Sequence, residues 1–145
     1  MKDILIYKWR AYNYIDIIAT FQSMGYHVDL VEQELKSYDE DAEFESRLAG
    51  ILKDHMYDMV FTVNYYGCIS NVCQRCQVKY VSWTCANPLI SMFHQSVYND
   101  CNYIFTFDKS NYLEFKGMGV EHIWYLPLAV DTDRLDYLLK TSDDL

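Results

Sequence analysis

Among the residues with the most versatile chemistry, Cys73-Gln74-Arg75-Cys76 has the CxxC spacing of a redox pair or of half a zinc site. A redox pair opens a helix directly after a strand, where the helix terminus stabilises the thiolate, and a structural zinc needs two further ligands at matching spacing. Here the pair falls inside a helical pattern, and neither a second CxxC nor a His pair follows it. The two thiols therefore read as the apolar packing of one helix face, and no metal is expected. A thiol-based redox or metal protein would rest on this pair alone and would show stoichiometric zinc or a thiol of low pKa. Cys68, Cys85 and Cys101 complete an odd set in a chain without an export signal, which points to reduced thiols. His94 is the most base-like group near a predicted strand end, and Asp108 is a carboxylate at another. Nothing in the spacing joins either to a nucleophile, so each is a candidate for proton transfer and no more.

A second set of residues suits binding rather than catalysis. Arg10, Tyr12 and Asn13 follow the first strand, Asn64 and Tyr65 follow the third, and Trp83 and Asn87 stand at the end of the fourth. Amides, hydroxyls and rings of this kind hydrogen-bond and stack on a polyhydroxylated ligand. The plainer reading of Asn64, Asn87 and Asp108, as caps of turns and helices, is equally open on the sequence. Several chemistries are excluded. The loop after the first strand has no glycine, so no GxGxxG dinucleotide clamp is present, and GxxxxGK[ST] and GxSxG are also missing. A phospho-receiver site would need acidic residues where this chain has Trp9-Arg10 and Asn64.

The elements that must position these groups follow from hydrophobic period. Ile4 to Tyr7 is a continuous apolar run, the pattern of a strand buried on both faces. Ile17, Ile18, Phe21 and Met24 fall at helical spacing before Gly25, and His27 to Val31 alternates into charge as a second strand. Asp39 to Asp41 can cap a helix carrying Phe44, Leu48, Ile51, Leu52 and His55 on one face. Strands follow over 58–63, 79–84, 103–107 and 123–126, separated by helical patterns over 69–77, 89–98 and 111–116, the last capped by Asp108 and broken by Gly117 and Gly119. Strict alternation of apolar strands with helices implies a doubly wound, Rossmann-like α/β domain with a parallel sheet of about six strands. With the order 3-2-1-4-5-6, ligands would sit between strands one and four, outside their carboxyl ends. Pro127 stops the last strand, and Asp131 or Thr132 can cap a helix bearing Leu135, Leu138 and Leu139. Residues 1–130 thus read as the domain and 131–145 as the start of a linker or helix leading out of it.

The chain has 145 residues, a single-domain size, with 51% hydrophobic and 23% charged residues. Its formal net charge of -9 repels phosphate backbones and anionic lipid, which argues against nucleic-acid binding. No apolar run is long enough to span a bilayer, and MKDILIYKW lacks the features of a signal peptide, so a cytoplasmic location is expected.

Several segments together carry a resemblance. They are Trp9 and Asn13 after the first strand, the run from Asp58 through Asn64-Tyr65, Lys79-Tyr-Val-Ser-Trp83 with Pro88, Cys101 through Asp108-Lys109, and Leu126-Pro-Leu-Ala-Val-Asp131. In this order they resemble the N-terminal domain of CgeB-like (spore-maturation-type) glycosyltransferases, over nearly the whole chain. The last motif is similar to the Leu-Pro-x-Gly-Val-Asp found between the halves of many two-domain glycosyltransferases. The resemblance implies a GT-B architecture, metal-independent, in which this half holds a glycan or glycosylated acceptor. The nucleotide-sugar donor would be held by a C-terminal domain outside these residues, and no cofactor would be bound here. Arg10, Tyr12, Asn13, Asn64, Tyr65, Trp83 and Asn87 would contact the acceptor. Where the pattern often has an acidic residue three positions after the Trp, this chain has Ala86, so Asn87, His94 or Asp108 would have to replace that carboxylate. Transfer would not occur on this half alone, because it needs donor and acceptor positioned together. The apolar surface of Leu135 to Leu139 would be open to a second copy as a homo-dimer contact. The alternative is a stand-alone Rossmann-like binding module that recognises a small ligand or a protein partner through the same loops.

Overall fold

The computed structural model describes residues 2–9, 14–84 and 92–126. Six strands, β1 (Asp3–Tyr7), β2 (His27–Val31), β3 (Met59–Val63), β4 (Lys79–Thr84), β5 (Asn102–Thr106) and β6 (Ile123–Tyr125), form one sheet in which every pairing is parallel. Between them run α1 (Tyr14–Ser23), α2 (Ala42–Asp54), α3 (Gly67–Cys76), a short 3-10 helix (Gln95–Tyr98) and α4 (Lys109–Gly117). The chain is an α/β protein with a doubly wound, Rossmann-like parallel sheet.

The strand order is β2-β1-β3-β4-β5-β6, which corrects the expected 3-2-1-4-5-6. The physical reason lies in β2. Its His27, Asp29 and largely uncovered side chains suit an edge, where one side of the strand meets water. The expected order would have buried it between two neighbours. β3, Met-Val-Phe-Thr-Val, is covered at four of its five positions and takes the interior place beside β1. The winding therefore reverses between β1 and β3, not between β1 and β4.

Local chemistry fixes the helix ends. Asp41 caps α2 by accepting from Phe44 N at 3.1 Å, and Phe44, Leu48 and Leu52 form its buried stripe. Asp108 caps α4 through Oδ1, which accepts from Ser110 N at 2.7 Å and Asn111 N at 3.2 Å. Within the predicted helix over 89–98 the structure has 3-10 conformation at Met92 and a 3-10 turn at Gln95–Tyr98, capped by His94, with 89–91 outside the described residues. The predicted element at Leu135–Leu139 also lies outside them.

Helices α2, α3 and α4 and the 3-10 turn share one face of the sheet, over a core that includes Leu5, Val60, Tyr80, Ile104, Ile123, Phe44, Ile69 and Phe115. The other face carries Ile4, Ile6, Phe61 and Val63, against which α1 packs Ile17, Ile18 and Phe21. Met24, expected on the α1 stripe, is exposed past the helix end, before Gly25 at φ 91°.

Candidate functional site

The place where the winding reverses is closed by a side chain. Tyr14, the first residue of α1, is only 1% exposed and lies across the carboxyl ends of β1 and β3. Its hydroxyl donates to the Tyr7 carbonyl at 2.8 Å and accepts from Val63 N at 3.0 Å. Tyr7 pairs with Thr62 in the β1–β3 register, so the Tyr14 hydroxyl continues the ladder one step beyond its last strand pair. A phenol thus bridges the carboxyl ends of β1 and β3 where the winding reverses.

Asn64 follows directly after β3. It takes the left-handed region, φ 68°, which Asn tolerates better than most residues because its short polar side chain can hydrogen-bond locally. Its N–H donates to the Trp83 carbonyl at 2.8 Å, while its carbonyl accepts from Thr62 Oγ1 at 2.6 Å and Ser82 Oγ at 3.1 Å. The Tyr80 hydroxyl, fully buried beneath, shares a 2.7 Å bond with Thr62 Oγ1 and accepts from Tyr66 N at 3.1 Å. Every one of these bonds involves a backbone group or a hydroxyl, and together they satisfy Asn64 N–H, the Asn64 carbonyl and Tyr66 N–H.

Behind the loop, His94 rests on the first turn of α3. Its Nδ1 accepts from Ser96 N at 3.2 Å and lies 2.8 Å from Ser96 Oγ, which in turn meets the Tyr65 hydroxyl at 2.5 Å. An Nδ1 that accepts a backbone N–H puts the ring proton of neutral His94 on Nε2. Tyr65 itself is 0% exposed, and burial pushes its phenol up to about 12. It is tied to His94 through Ser96 and presents no hydroxyl to solvent.

The structure links Tyr65 to His94 through Ser96, and Asn64 precedes Tyr65 directly after β3. Trp83 stands apart on the opposite sheet face, beside Val63 in the register. Asp108 lies beyond the end of β5 as a helix cap, the plainer of the two roles foreseen for it. Arg10, Tyr12, Asn13 and Asn87 lie outside the described residues. Sequence reasoning placed Tyr14 at the end of the loop from Trp9 to Tyr14 that was expected to line the crevice, and missed Thr62, Tyr80, Ser82 and Ser96, which hold the loop after β3, and Tyr38. The Tyr38 ring is 45% exposed and packs edge-on against Tyr66 at 4.9 Å, which itself packs against Tyr7 at 5.1 Å. A signal for Tyr38 was its place in the loop after β2, at the same end of the sheet.

The thiols add no second site among the described residues. Cys73 is fully buried within α3, and burial raises its pKa well above the ordinary thiol value; burial pushes Cys101 up to about 11. Both stay protonated at neutral pH, the opposite of what thiolate chemistry requires. Among the described residues no helix is long and apolar enough to cross a membrane. No family model matches the sequence, and no curated protein matches it.

Proposed function

We propose that this chain is the acceptor-side, N-terminal domain of a GT-B glycosyltransferase of the CgeB-like type, which holds a glycan or glycosylated acceptor while a C-terminal domain supplies the nucleotide-sugar donor. The observation that carries the reading is the Tyr14 bridge. In a dinucleotide-binding domain the first crossover helix directs free N–H groups at a pyrophosphate through a glycine turn. Here the sequence before that helix has no glycine, the phenol of its first residue bridges the ends of β1 and β3, and Asp16 adds negative charge in its first turn. With a net charge of -9 as well, this end of the sheet disfavours a diphosphate and favours a neutral, hydroxyl-rich ligand.

Asn64 after β3, the half-exposed Tyr38 ring and His94 offer what such a ligand needs: an amide, a stacking face and a proton carrier. The order of sequence motifs from Trp9 to Asp131 supports the same assignment.

An amide NMR titration of the whole chain, with nucleotide sugars and separately with simple glycans, tests the division of labour. Glycan should shift Asn64, Tyr66 and the 10–13 loop, with nucleotide sugars leaving the spectrum unchanged. Saturable binding of a nucleotide sugar at this crevice would place the donor on this half and overturn the proposal.

A further inference from the structure

A strand at the end of a sheet has main-chain donors and acceptors on its outer side that its own sheet does not use. β2 is such a strand, paired on one side with β1. His27 N donates to the Lys2 carbonyl at 2.8 Å and Lys8 N donates to the Val31 carbonyl at 3.0 Å, so the main chain of 27, 29 and 31 faces β1 and that of Val28 and Leu30 faces outward. Among the described residues, the outward groups of Val28 and Leu30 have no hydrogen-bond partner. The side chains agree: Leu30 is 45% exposed, and those of His27 and Asp29 are 51% and 39% exposed. Charged side chains ordinarily keep such an edge from pairing. In β2 they form a matched set instead, an imidazole and a carboxylate two residues apart on one face, already joined at 2.9 Å between His27 Nε2 and Asp29 Oδ1.

We propose that β2 is a dimer interface, at which a second copy of this chain pairs antiparallel about Val28 and joins the two sheets into one. Charge complementarity selects both the occupant and the register. In a two-fold pairing of identical strands, residue i opposes residue j and j opposes i, and opposed residues share a face of the sheet, so the symmetry axis passes through a residue. An axis at Asp29 sets carboxylate against carboxylate. An axis at Leu30 sets Asp29 against Val31 and leaves His27 beyond the strand. An axis at Val28 sets His27 opposite Asp29 of the second copy, twice, so that each imidazole stands between two carboxylates. The main chain fits the same axis. Val28 faces outward, so its N–H donates to the Val28 carbonyl of the second copy and the reverse, and Leu30 N–H donates to the Tyr26 carbonyl of the second copy. His27 and Asp29 then form pairs without main-chain hydrogen bonds, where opposed side chains approach most closely. On the other face, which Val28 shares with α1, the exposed Leu30 side chain meets the half-buried Tyr26 ring of the second copy. The inference is independent of the function proposed above.

The test is sedimentation equilibrium of the whole chain over about 10 µM to 1 mM, a range that resolves a modest interface. The wild-type chain should dimerise with rising concentration. Val28→Pro deletes only an N–H that faces away from β1, so circular dichroism should stay unchanged while the dimer is lost. His27→Asp sets carboxylates opposite each other at two places and should weaken association roughly tenfold. A wild-type chain that stays monomeric overturns the proposal, since β2 is then an edge kept apart by its charges or taken by the strand of another protein. A dimer that survives Val28→Pro overturns it as well, and one that ignores His27→Asp refutes the register. If Val28→Pro unfolds the domain, the unaltered chain decides: in a mixture of labelled and unlabelled chains, an intermolecular nuclear Overhauser contact should join the Hα of His27 to the Hα of Asp29, and its absence refutes the pairing.

Discussion

Gly67→Ala should destabilise the domain through His94. A Cβ built on Gly67 would lie 2.8 Å from His94 Nδ1, closer than a Cβ approaches such an atom, and tightly at 3.0 Å from Ser96 Oγ and 3.3 Å from His94 Cε1. The ring would have to swing away, breaking the Nδ1 cap on Ser96 N and the link to Tyr65. Overpacking of this kind costs about 1–3 kcal/mol, and the gain from replacing a helical glycine by alanine offsets at most ~1 kcal/mol of it. The net loss, about 1 kcal/mol and at full offset no more than about 2 kcal/mol, should lower a urea midpoint by roughly 0.5 M and by no more than about 1 M, given a typical slope for a domain of this size. Gly50→Ala is the control: Gly50 lies in α2 with nothing within 4 Å of the added atom, and the change should raise stability by about 0.5–1 kcal/mol. A double-mutant cycle attributes the cost, because Gly67→Ala should become nearly harmless in a His94→Ala background. Equal cost with and without the imidazole would refute the reasoning.

Three further outcomes are expected. Tyr80→Phe leaves Tyr66 N without its buried acceptor and should cost about 1–3 kcal/mol in denaturant unfolding; a neutral result would mean the loop relaxes around the loss. Asn64→Gly keeps the left-handed backbone while deleting the amide, so stability should stay within about 0.5 kcal/mol of wild type as glycan binding falls, and a large stability loss would show that the amide is structural. Asp41 and Asp29 are held below the ordinary carboxylate range, Asp41 chiefly by the Lys36 and Phe44 N–H groups and Asp29 chiefly by the Tyr57 hydroxyl. With folded pKa values below the unfolded ones, both add stability that is present above about pH 4 and lost as pH falls through the folded values. Asp41→Asn keeps the capping oxygen but not the titration, so its melting temperature should fall less steeply between pH 5 and pH 2, roughly.

Much of the architecture was legible because period and capping speak locally. The apolar run at Ile4 to Tyr7, the cap at Asp41 with its Phe44, Leu48, Leu52 stripe, and Asp108 before α4 are all local signals, and the structure has each of them. Strand order was not local. It turned on β2 being an edge, and the charge in His27 to Val31 that marks it as one was weighed only as alternation. The helical pattern over 89–98 gave way to a 3-10 turn because the His94 ring, an unusual capping group, starts it at Gln95. At the candidate site, amides on loops were named by type and position, and of these Asn64 alone falls among the described residues. The hydroxyls beneath them could not, because Tyr14 and Val63 are 49 residues apart and only the fold makes them partners. Tyr65 shows the converse: its type suggested a ligand contact, whereas its backbone turns the ring inward toward Ser96.

The parallel order also dictates how the molecule has to assemble. No two strands can zip from a hairpin, so each pairing waits for a crossover, and Ile4 with Met59 bridges the longest stretch of chain of any pair in the sheet. Non-local closures of this kind limit folding rates, so β1 with β2 and the β3-to-β6 unit should form as two halves that join last. Their seam is the crevice that Tyr14 bridges. A ligand seated there touches both halves at once, stabilises only the joined state and so slows its separation, which makes occupancy of the crevice readable as a longer unfolding lifetime.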